Sequence, residues 1–207
     1  MTKIYKFLFA LLFSISLYTH LQAIEVPSVT APKMPLMTMT DTNGKTYKVQ
    51  GTEQGLKIEG LEGKIVFLEF FGHKCPPCLA SIPHLIKLQE KHKDKLAIVS
   101  IEVQGNNAKQ MTSFAKEKGI NYIVVPEETA SNLVSYVQQR AEWRGSIPFL
   151  VALDTKGVVQ FVQAGMLPER SLEKLIVQLS DKNETVNTKK VISTTKKPTS
   201  ATKNTSH

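Results

Sequence analysis

The sequence predicts an α/β fold in which a central mixed β-sheet is flanked by helices. Apolar runs of strand length, such as Ile65–Phe70 and Leu96–Val103, alternate with stretches of helical periodicity, and this pattern is typical of helices that pack on a sheet. Two further apolar runs are separated by Asp154-Thr155-Lys156-Gly157, which predicts an antiparallel hairpin. We therefore expect both parallel and antiparallel pairing in one sheet.

The first half of the fold begins with a hairpin and leads into the first core strand. Thr38–Gln50 consists of short alternating runs around an Asn-Gly pair, which is a strong hairpin signal. Ile65–Phe70 is continuously apolar apart from one residue and predicts a buried strand. Cys75–Lys91 has helical spacing but contains Pro83, and we expect an interruption there because proline lacks the helical N–H. Leu96–Val103 is the second buried strand.

The second half alternates between helices and strands and ends with a hairpin and a helix. Helical spacing in two stretches, with a β-branched run between them, predicts helix, strand and helix in turn. Pro168 marks the start of the last helix. The predicted elements are helix Ala108–Lys118, strand Tyr122–Val125, helix Ala130–Gln139, strands Phe149–Leu153 and Val158–Gln163, and a helix from about Leu167 to Leu179.

The first 23 residues have the features of a cleaved secretory signal. Lys3 and Lys6 give a positive start, Phe7–Tyr18 is apolar but short for a bilayer span, and Ala23 is a small residue suited to cleavage. We expect removal near Ala23 and a periplasmic mature protein, in a compartment where disulfides persist. An uncleaved N-terminal anchor is the alternative.

Composition divides the remaining chain into a nearly neutral domain and a basic tail. Residues 24–37 contain three prolines and are expected to form an extended lead-in to a domain at 38–180. Residues 181–207 are mostly Lys, Thr, Ser and Asn, which predicts disorder because such a segment buries too little apolar surface. The formal net charge is +8, of which the signal and residues 182–207 hold +2 and +5. The charge therefore gives no argument for nucleic-acid binding.

The tail also contains a candidate modification site. Asp181-Lys182-Asn183-Glu184-Thr185 resembles the extended glycan-acceptor sequence of some bacterial oligosaccharyltransferases. An exposed segment suits such a modification, but the sequence leaves open whether Asn183 carries a glycan.

Cys75 and Cys78 are the only cysteines, and they flank Pro76-Pro77 at the predicted start of a helix. Two thiols at this spacing can interconvert between dithiol and disulfide without refolding of the chain. The helix dipole stabilises a thiolate on Cys75, and Lys74 and His73 add positive charge nearby. The two prolines remove N–H donors that would otherwise face this sulfur, so the dipole alone does not fix the redox potential.

These residues belong to a longer pattern that resembles the thioredoxin superfamily. Phe70–Cys78 matches its strand-to-thiol sequence, Pro83 its active-site helix proline, and Gly145–Leu150 its cis-proline loop. Within the superfamily the chain is most similar to the TlpA/ResA/DsbE group, which also has a hairpin before the first core strand. The resemblance covers about Thr38 to Leu179. It implies a thioredoxin-like fold with an N-terminal β-hairpin extension.

The resemblance also implies roles for individual residues. Cys75 would attack a substrate disulfide and Cys78 would resolve the mixed disulfide, so that the two form a disulfide when oxidised. Ile147–Pro148 would have a cis peptide bond and hold the substrate backbone. Glu69 would be a buried acid that exchanges a proton with Cys78, and burial should raise its pKa. Apart from the resemblance, Trp143 is the only tryptophan and lies near this loop in the sequence. Core packing is the expected role, and an apolar contact surface for a partner is the alternative.

The resulting hypothesis is a periplasmic thiol–disulfide oxidoreductase that uses no cofactor beyond its two thiols. The resemblance favours a reductase of protein disulfides, with cytochrome c maturation as one setting and a membrane electron donor of the DsbD/CcdA type. Lys74, where the family usually has an aromatic residue, favours the opposite direction because a stabilised thiolate makes a disulfide more oxidising. The alternatives are a dithiol oxidase or isomerase, and a copper or zinc carrier that adds His73 and His84 to the cysteines.

Overall fold

The computed structural model describes residues 34–180, so the expected signal, residues 24–33 of the lead-in and the tail with Asn183 lie outside the described residues. The strands within this range are β1 (Leu36–Thr40), β2 (Thr46–Gly51), β3 (Leu56–Ile58), β4 (Ile65–Phe71), β5 (Leu96–Glu102), β6 (Ile123–Pro126), β7 (Phe149–Leu153) and β8 (Val159–Ala164). The helices are α1 (Pro76–Lys91), α2 (Ala108–Lys118), α3 (Ser131–Arg140) and α4 (169–180). In this part of the chain no helix is both long and apolar enough to span a bilayer.

The strands form two sheets. β1, β2 and β3 make a three-stranded antiparallel sheet, and the other five strands form the central sheet in the order β6-β5-β4-β7-β8. β4, β5 and β6 run parallel, since α1 and α2 connect them as crossovers, whereas β7 runs antiparallel to both β4 and β8. The predicted mixed sheet is confirmed, with β4 at its centre.

The predicted hairpin is present as β1 and β2, and the structure adds β3 beside it. In the hairpin turn, Asp41 accepts hydrogen bonds from the N–H groups of Asn43 and Lys45, both at 2.9 Å. β3 has three residues, too few to stand out in the sequence. It is preceded by Gly55, which lies so close to the backbone of Gly157 that any Cβ would overlap it.

Two boundaries differ from the predictions. β1 begins at Leu36, so the lead-in expected to reach residue 37 ends earlier. The expected interruption at Pro83 is wrong, because α1 continues through this residue. The proline removes one backbone donor, but its neighbours Ile82 and Leu85 are buried against the core, and this packing holds the helix together.

The central sheet has a hydrophobic core on each face. On one face, Val66, Leu68 and Phe70 of β4 pack with the three-stranded sheet and α3. On the other face, Phe67 and Phe71 pack with residues from α1, α2 and α4. Because successive strand residues point to opposite faces, Glu69 lies on the same face as these two aromatic residues, as predicted. β4 is buried along its whole length.

Candidate active site

Cys75 and Cys78 form a disulfide at the N-terminus of α1. Cys75 is the N-cap residue, and Pro76 and Pro77 are the first two residues of the helix, where the missing N–H groups would have no helical partner anyway. The Cys78 N–H donates a hydrogen bond to Cys75 Sγ at 3.4 Å. Cys75 is 7% exposed and Cys78 is 0% exposed, so Cys75 carries the sulfur that a partner would reach first.

A buried carboxylate at the end of β5 organises the turn before Cys75. Glu102 is fully buried, and its Oε1 lies 2.6 Å from Nδ1 of His73. The same carboxylate accepts hydrogen bonds from the N–H groups of Gln104 and Asn106, each at 3.0 Å. Any positive charge on the His73 ring is therefore compensated by Glu102. Glu102 is not among the predicted site residues, although an acidic residue inside an apolar run is a signal that could have identified it.

Lys74 is held by its backbone, while its side chain is exposed. Its N–H donates to Oε1 of Gln104 at 2.8 Å. Gly72 allows this arrangement, because a Cβ at that position would overlap the Gln104 side chain. The ammonium group of Lys74 lies in solvent, where its field is screened by water and salt. It is therefore a weak source of thiolate stabilisation at Cys75.

Glu69 is 6% exposed, and each of its carboxyl oxygens lies near a serine hydroxyl. Ser100 Oγ donates to Oε2 at 2.6 Å. Ser81 Oγ lies 3.3 Å from Oε1 and 2.7 Å from the carbonyl oxygen of Cys78, which connects the acid to the helical turn that carries the second cysteine. Burial raises the pKa of Glu69 to about 7, and the two serine hydrogen bonds offset this rise only in part.

The surroundings of Glu69 include three features that the sequence did not indicate. Ser100 is its direct partner in the register between β4 and β5. Tyr122 lies close by, and burial, followed by the Glu69 charge, raises the pKa of this tyrosine. A cavity of about 20 Å³ is lined by Glu69, Ser81 and Pro148, among others. Such a volume is sufficient for one water molecule.

The loop before β7 meets the disulfide, as the resemblance implied. The Ile147–Pro148 peptide bond is cis. The Ile147 carbonyl oxygen lies 3.9 Å from Cys75 Sγ, although the two residues are 72 positions apart in the chain. Ile147 is half-buried and Pro148 is buried. The loop and the outer sulfur thus form one continuous surface, and Trp143 packs in the core behind it.

The two histidines considered as metal ligands do not converge on the cysteines. His73 faces Glu102, and His84 Nε2 lies 4.0 Å from a carboxylate oxygen of Glu169. Residues 34–180 contain no cluster of three or more His, Cys, Asp or Glu side chains that could hold a metal ion. The ligand set considered for a copper or zinc carrier is therefore not assembled in this part of the chain.

Comparisons with known proteins agree with this geometry. The family model described as Redoxin matches residues 26–176. Thioredoxin-like protein YneN of Bacillus subtilis is 28% identical over 119 residues, which cover 56% of this chain and 66% of YneN. Thiol-disulfide oxidoreductase ResA of Bacillus subtilis is 30% identical over 103 residues, which cover 49% of this chain and 52% of ResA. The chain thus matches slightly less than two thirds of YneN and about half of this ResA.

Solved structures share the fold. A thiol:disulfide interchange protein of the thioredoxin family from Chlorobium tepidum TLS superposes with a TM-score of 0.59 at 21% identity, covering 71% of this chain and 94% of that one. StoA from Bacillus subtilis superposes with a TM-score of 0.51 at 17% identity, covering 68% and 95%. These similarities confirm the predicted thioredoxin-like fold.

Proposed function

The chain belongs to the redoxin family, and from its Cys75–Cys78 site we propose that it is a protein thiol–disulfide oxidoreductase. The observation that carries the proposal is the position of the disulfide, at a helix N-terminus with the outer sulfur beside the Ile147 carbonyl. The name thiol-disulfide oxidoreductase carried by its ResA relatives supports the same reaction class.

The proposed exchange moves two electrons through the sulfurs. In the reduced protein, the Cys75 thiolate attacks one sulfur of a substrate disulfide, and the other substrate sulfur leaves as a thiolate. The Cys78 thiolate then attacks Cys75 Sγ, which forms the Cys75–Cys78 disulfide and releases the second substrate sulfur as a thiolate. The substrate disulfide is reduced and the enzyme dithiol is oxidised.

In this mechanism Glu69 accepts the proton of the Cys78 thiol. Cys78 is fully buried, and apolar surroundings oppose the loss of its proton. A carboxyl group with a pKa of about 7 accepts and returns protons efficiently near neutral pH. Ser81 lies between the Cys78 carbonyl and this carboxyl group, and one water in the adjacent cavity would complete a path for the proton.

The Ile147–Pro148 loop is the proposed binding surface for the substrate chain. Its Ile147 carbonyl is already 3.9 Å from Cys75 Sγ, so a substrate segment lying along this backbone brings its disulfide to the outer sulfur. Backbone pairing of this kind recognises an extended chain of almost any sequence. The site therefore suits protein substrates that have locally extended segments.

We place the protein on the reducing side, because three features keep stabilisation of the Cys75 thiolate weak. Pro76 and Pro77 provide no N–H groups. The Lys74 side chain is exposed, and the His73 ring is paired with Glu102. A less stabilised thiolate corresponds to a lower, more reducing potential.

The proposed cellular setting follows from the expected signal and the direction of transfer. Cleavage near Ala23 would release the protein into the periplasm. A membrane electron donor of the DsbD/CcdA type would then re-reduce its disulfide, and protein disulfides, including those of apocytochromes, would be its substrates. The printed name of the ResA relatives, thiol-disulfide oxidoreductase, supports the exchange reaction that this setting requires.

Two cysteine variants test the reaction. Cys75→Ser should abolish reduction of insulin disulfides, because it removes the attacking sulfur. Cys78→Ser should retain the first attack and accumulate mixed disulfides, visible as bands that disappear with dithiothreitol on a gel. Retention of wild-type activity by both variants would contradict the exchange mechanism.

A further inference from the structure

Trp143 is a buried residue among exposed neighbours in the loop before Ile147. The loop connects α3 to β7, and its residues Glu142, Arg144, Gly145 and Ser146 are all exposed, whereas Trp143 is 6% exposed. Glu142 and Gly145 have φ values of 50° and 85°, in the left-handed region that costs a residue with a side chain about 1 kcal/mol or more. The backbone thus makes sharp turns on both sides of the tryptophan.

The indole ring of Trp143 contacts both the loop and the strands behind the active site. Its Nε1–H donates to the carbonyl oxygen of Ser146 at 2.7 Å. Its ring stacks on Phe149 with a centroid distance of 4.9 Å and an interplanar angle of 9°, and its centroid lies 4.6 Å from that of Phe70. Phe70 and Phe149 are paired residues near the ends of β4 and β7, so the ring is held against two neighbouring strands of the central sheet.

We propose that Trp143 is a positioning residue for substrate binding, which holds the Ile147 backbone in place beside Cys75. This inference rests on the proposed function of the Ile147–Pro148 loop. The indole holds Ser146, the residue before Ile147, through a hydrogen bond. It holds Phe149, two residues after Ile147, through ring stacking. Between these two attachments the Ile147 carbonyl lies 3.9 Å from Cys75 Sγ.

The hydrogen bond from the Trp143 indole is not needed to fill the core. A phenylalanine at position 143 would keep most of the apolar contact with Phe70 and Phe149, but it has no N–H. Since Ser146 is exposed, water would then satisfy its carbonyl, and little stability would be lost. The hydrogen bond therefore contributes mainly to where the loop lies, and its loss should affect substrates that use the Ile147 backbone.

The test compares two substrates of different size in the full-length reduced protein. Insulin presents its disulfide in a chain that contacts the loop, whereas hydroxyethyl disulfide has no backbone to pair. In Trp143→Phe, the ratio of the second-order rate constant for insulin to that for hydroxyethyl disulfide should fall roughly three- to tenfold, the effect of losing one hydrogen bond. The lower rate constant for insulin should come from a higher KM and not from a lower kcat.

Tyr47→Phe is the matched control, because it also removes a ring donor from a buried aromatic residue. The Tyr47 hydroxyl donates to Asp41 in the three-stranded sheet, and its removal should leave the ratio unchanged. An unchanged ratio in Trp143→Phe, or an equal fall in both variants, would overturn the inference.

A second variant and the activity of the wild type separate failure of this inference from failure of folding or of the proposed function. If Trp143→Phe does not fold, Phe149→Leu removes the stacked partner from the other side and should lower the same ratio, and an unchanged ratio there would overturn the inference. If the wild-type protein reacts with neither disulfide, the proposed function fails. A wild type that reacts with both disulfides, without a selective loss in the variants, refutes the role of Trp143 alone.

Discussion

Glu69 couples the stability of the protein to pH. Its pKa is raised from 4.5 to about 7 by burial, so the folded state favours the neutral acid. The contribution of the neutral Glu69 carboxyl group to the free energy of unfolding is fully present below pH 4.5. It is lost as the pH rises through the folded-state pKa of about 7. Glu69→Gln should therefore be more stable than the wild type at pH 8, by on the order of 3 kcal/mol. Urea denaturation of the oxidised protein between pH 4 and pH 8.5 measures this difference.

The pH dependence of the stability difference distinguishes titration of Glu69 from a change in packing caused by the substitution. The stability difference between Glu69→Gln and the wild type should shrink as the pH falls through 7 toward 4.5. Glu59→Gln is the control, because Glu59 pairs with Lys48 on the exposed surface, and pairs of this kind contribute little. A Glu69→Gln difference that stays constant across this pH range would show that the carboxyl group does not titrate as described.

The sequence indicated part of this residue-scale chemistry. Glu69 was identifiable because an acidic residue interrupts an apolar strand six positions before Cys75. Ser81 and Ser100 were not, since Ser100 reaches Glu69 only through the register of β4 against β5, and Ser81 only through the way α1 packs over that strand. A sequence pattern fixes the face on which a residue lies, but it does not fix the neighbour across the sheet.

At the scale of elements, the end of β5 controls the turn that leads from β4 to α1. Glu102 accepts hydrogen bonds from the loop after β5 and contacts His73 in the turn before Cys75. A glutamine there would direct an NH₂ group toward one of these donors. We expect Glu102→Gln to lower the free energy of unfolding by about 1–3 kcal/mol and to speed amide exchange of Gln104 and Asn106.

Hydrogen exchange followed by NMR distinguishes this local effect from a general loss of stability. Amides in β1 and β2, which belong to the other sheet, should lose protection only to the extent that global stability falls. The amides of Gln104 and Asn106 should lose more protection than the fall in global stability explains. Uniform loss across all strands would contradict a specific role of Glu102 in the turn, and Glu59→Gln again serves as the surface control.

The predicted elements agree with the structure where local patterns decide them. The Asn-Gly hairpin, the apolar strands and the helices with clear periodicity are all present. β3 was missed because a three-residue strand between glycines has no periodicity to read. The break expected at Pro83 did not occur, because burial of Ile82 and Leu85 outweighs the loss of one helical hydrogen bond.

At the scale of the whole molecule, the site depends on chain segments that are distant in sequence. The cysteines come from the N-terminus of α1, the acid from β4, its partner Ser100 from β5, and the Ile147 carbonyl from the loop before β7. β4 pairs with β5 on one side and β7 on the other, so these three strands bring the groups to one end of the sheet. The resemblance to a known superfamily, rather than any local pattern, allowed this convergence to be predicted.

The reduction potential is a property of the whole molecule, because the difference in folding stability between the two redox states sets its shift from the potential of the unfolded chain. A fold that lowers the potential below that of the unfolded chain must stabilise the oxidised form more than the reduced form. The weak thiolate stabilisation at Cys75 therefore predicts that the oxidised protein unfolds at a higher urea concentration than the reduced protein. Equilibration with thioredoxin should correspondingly give a potential near about −270 mV or below.

A Cys75→Ala/Cys78→Ala variant provides the control for this comparison, because added dithiothreitol should leave its unfolding midpoint unchanged. The opposite order in the wild type, with the reduced protein more stable, would mean that the site stabilises the thiolate strongly. The potential would then lie above that of the unfolded chain, and a value near about −120 mV would make the protein a dithiol oxidase. The Cys78 N–H, which already donates to Cys75 Sγ at 3.4 Å, would be the first group to examine as the source of that stabilisation.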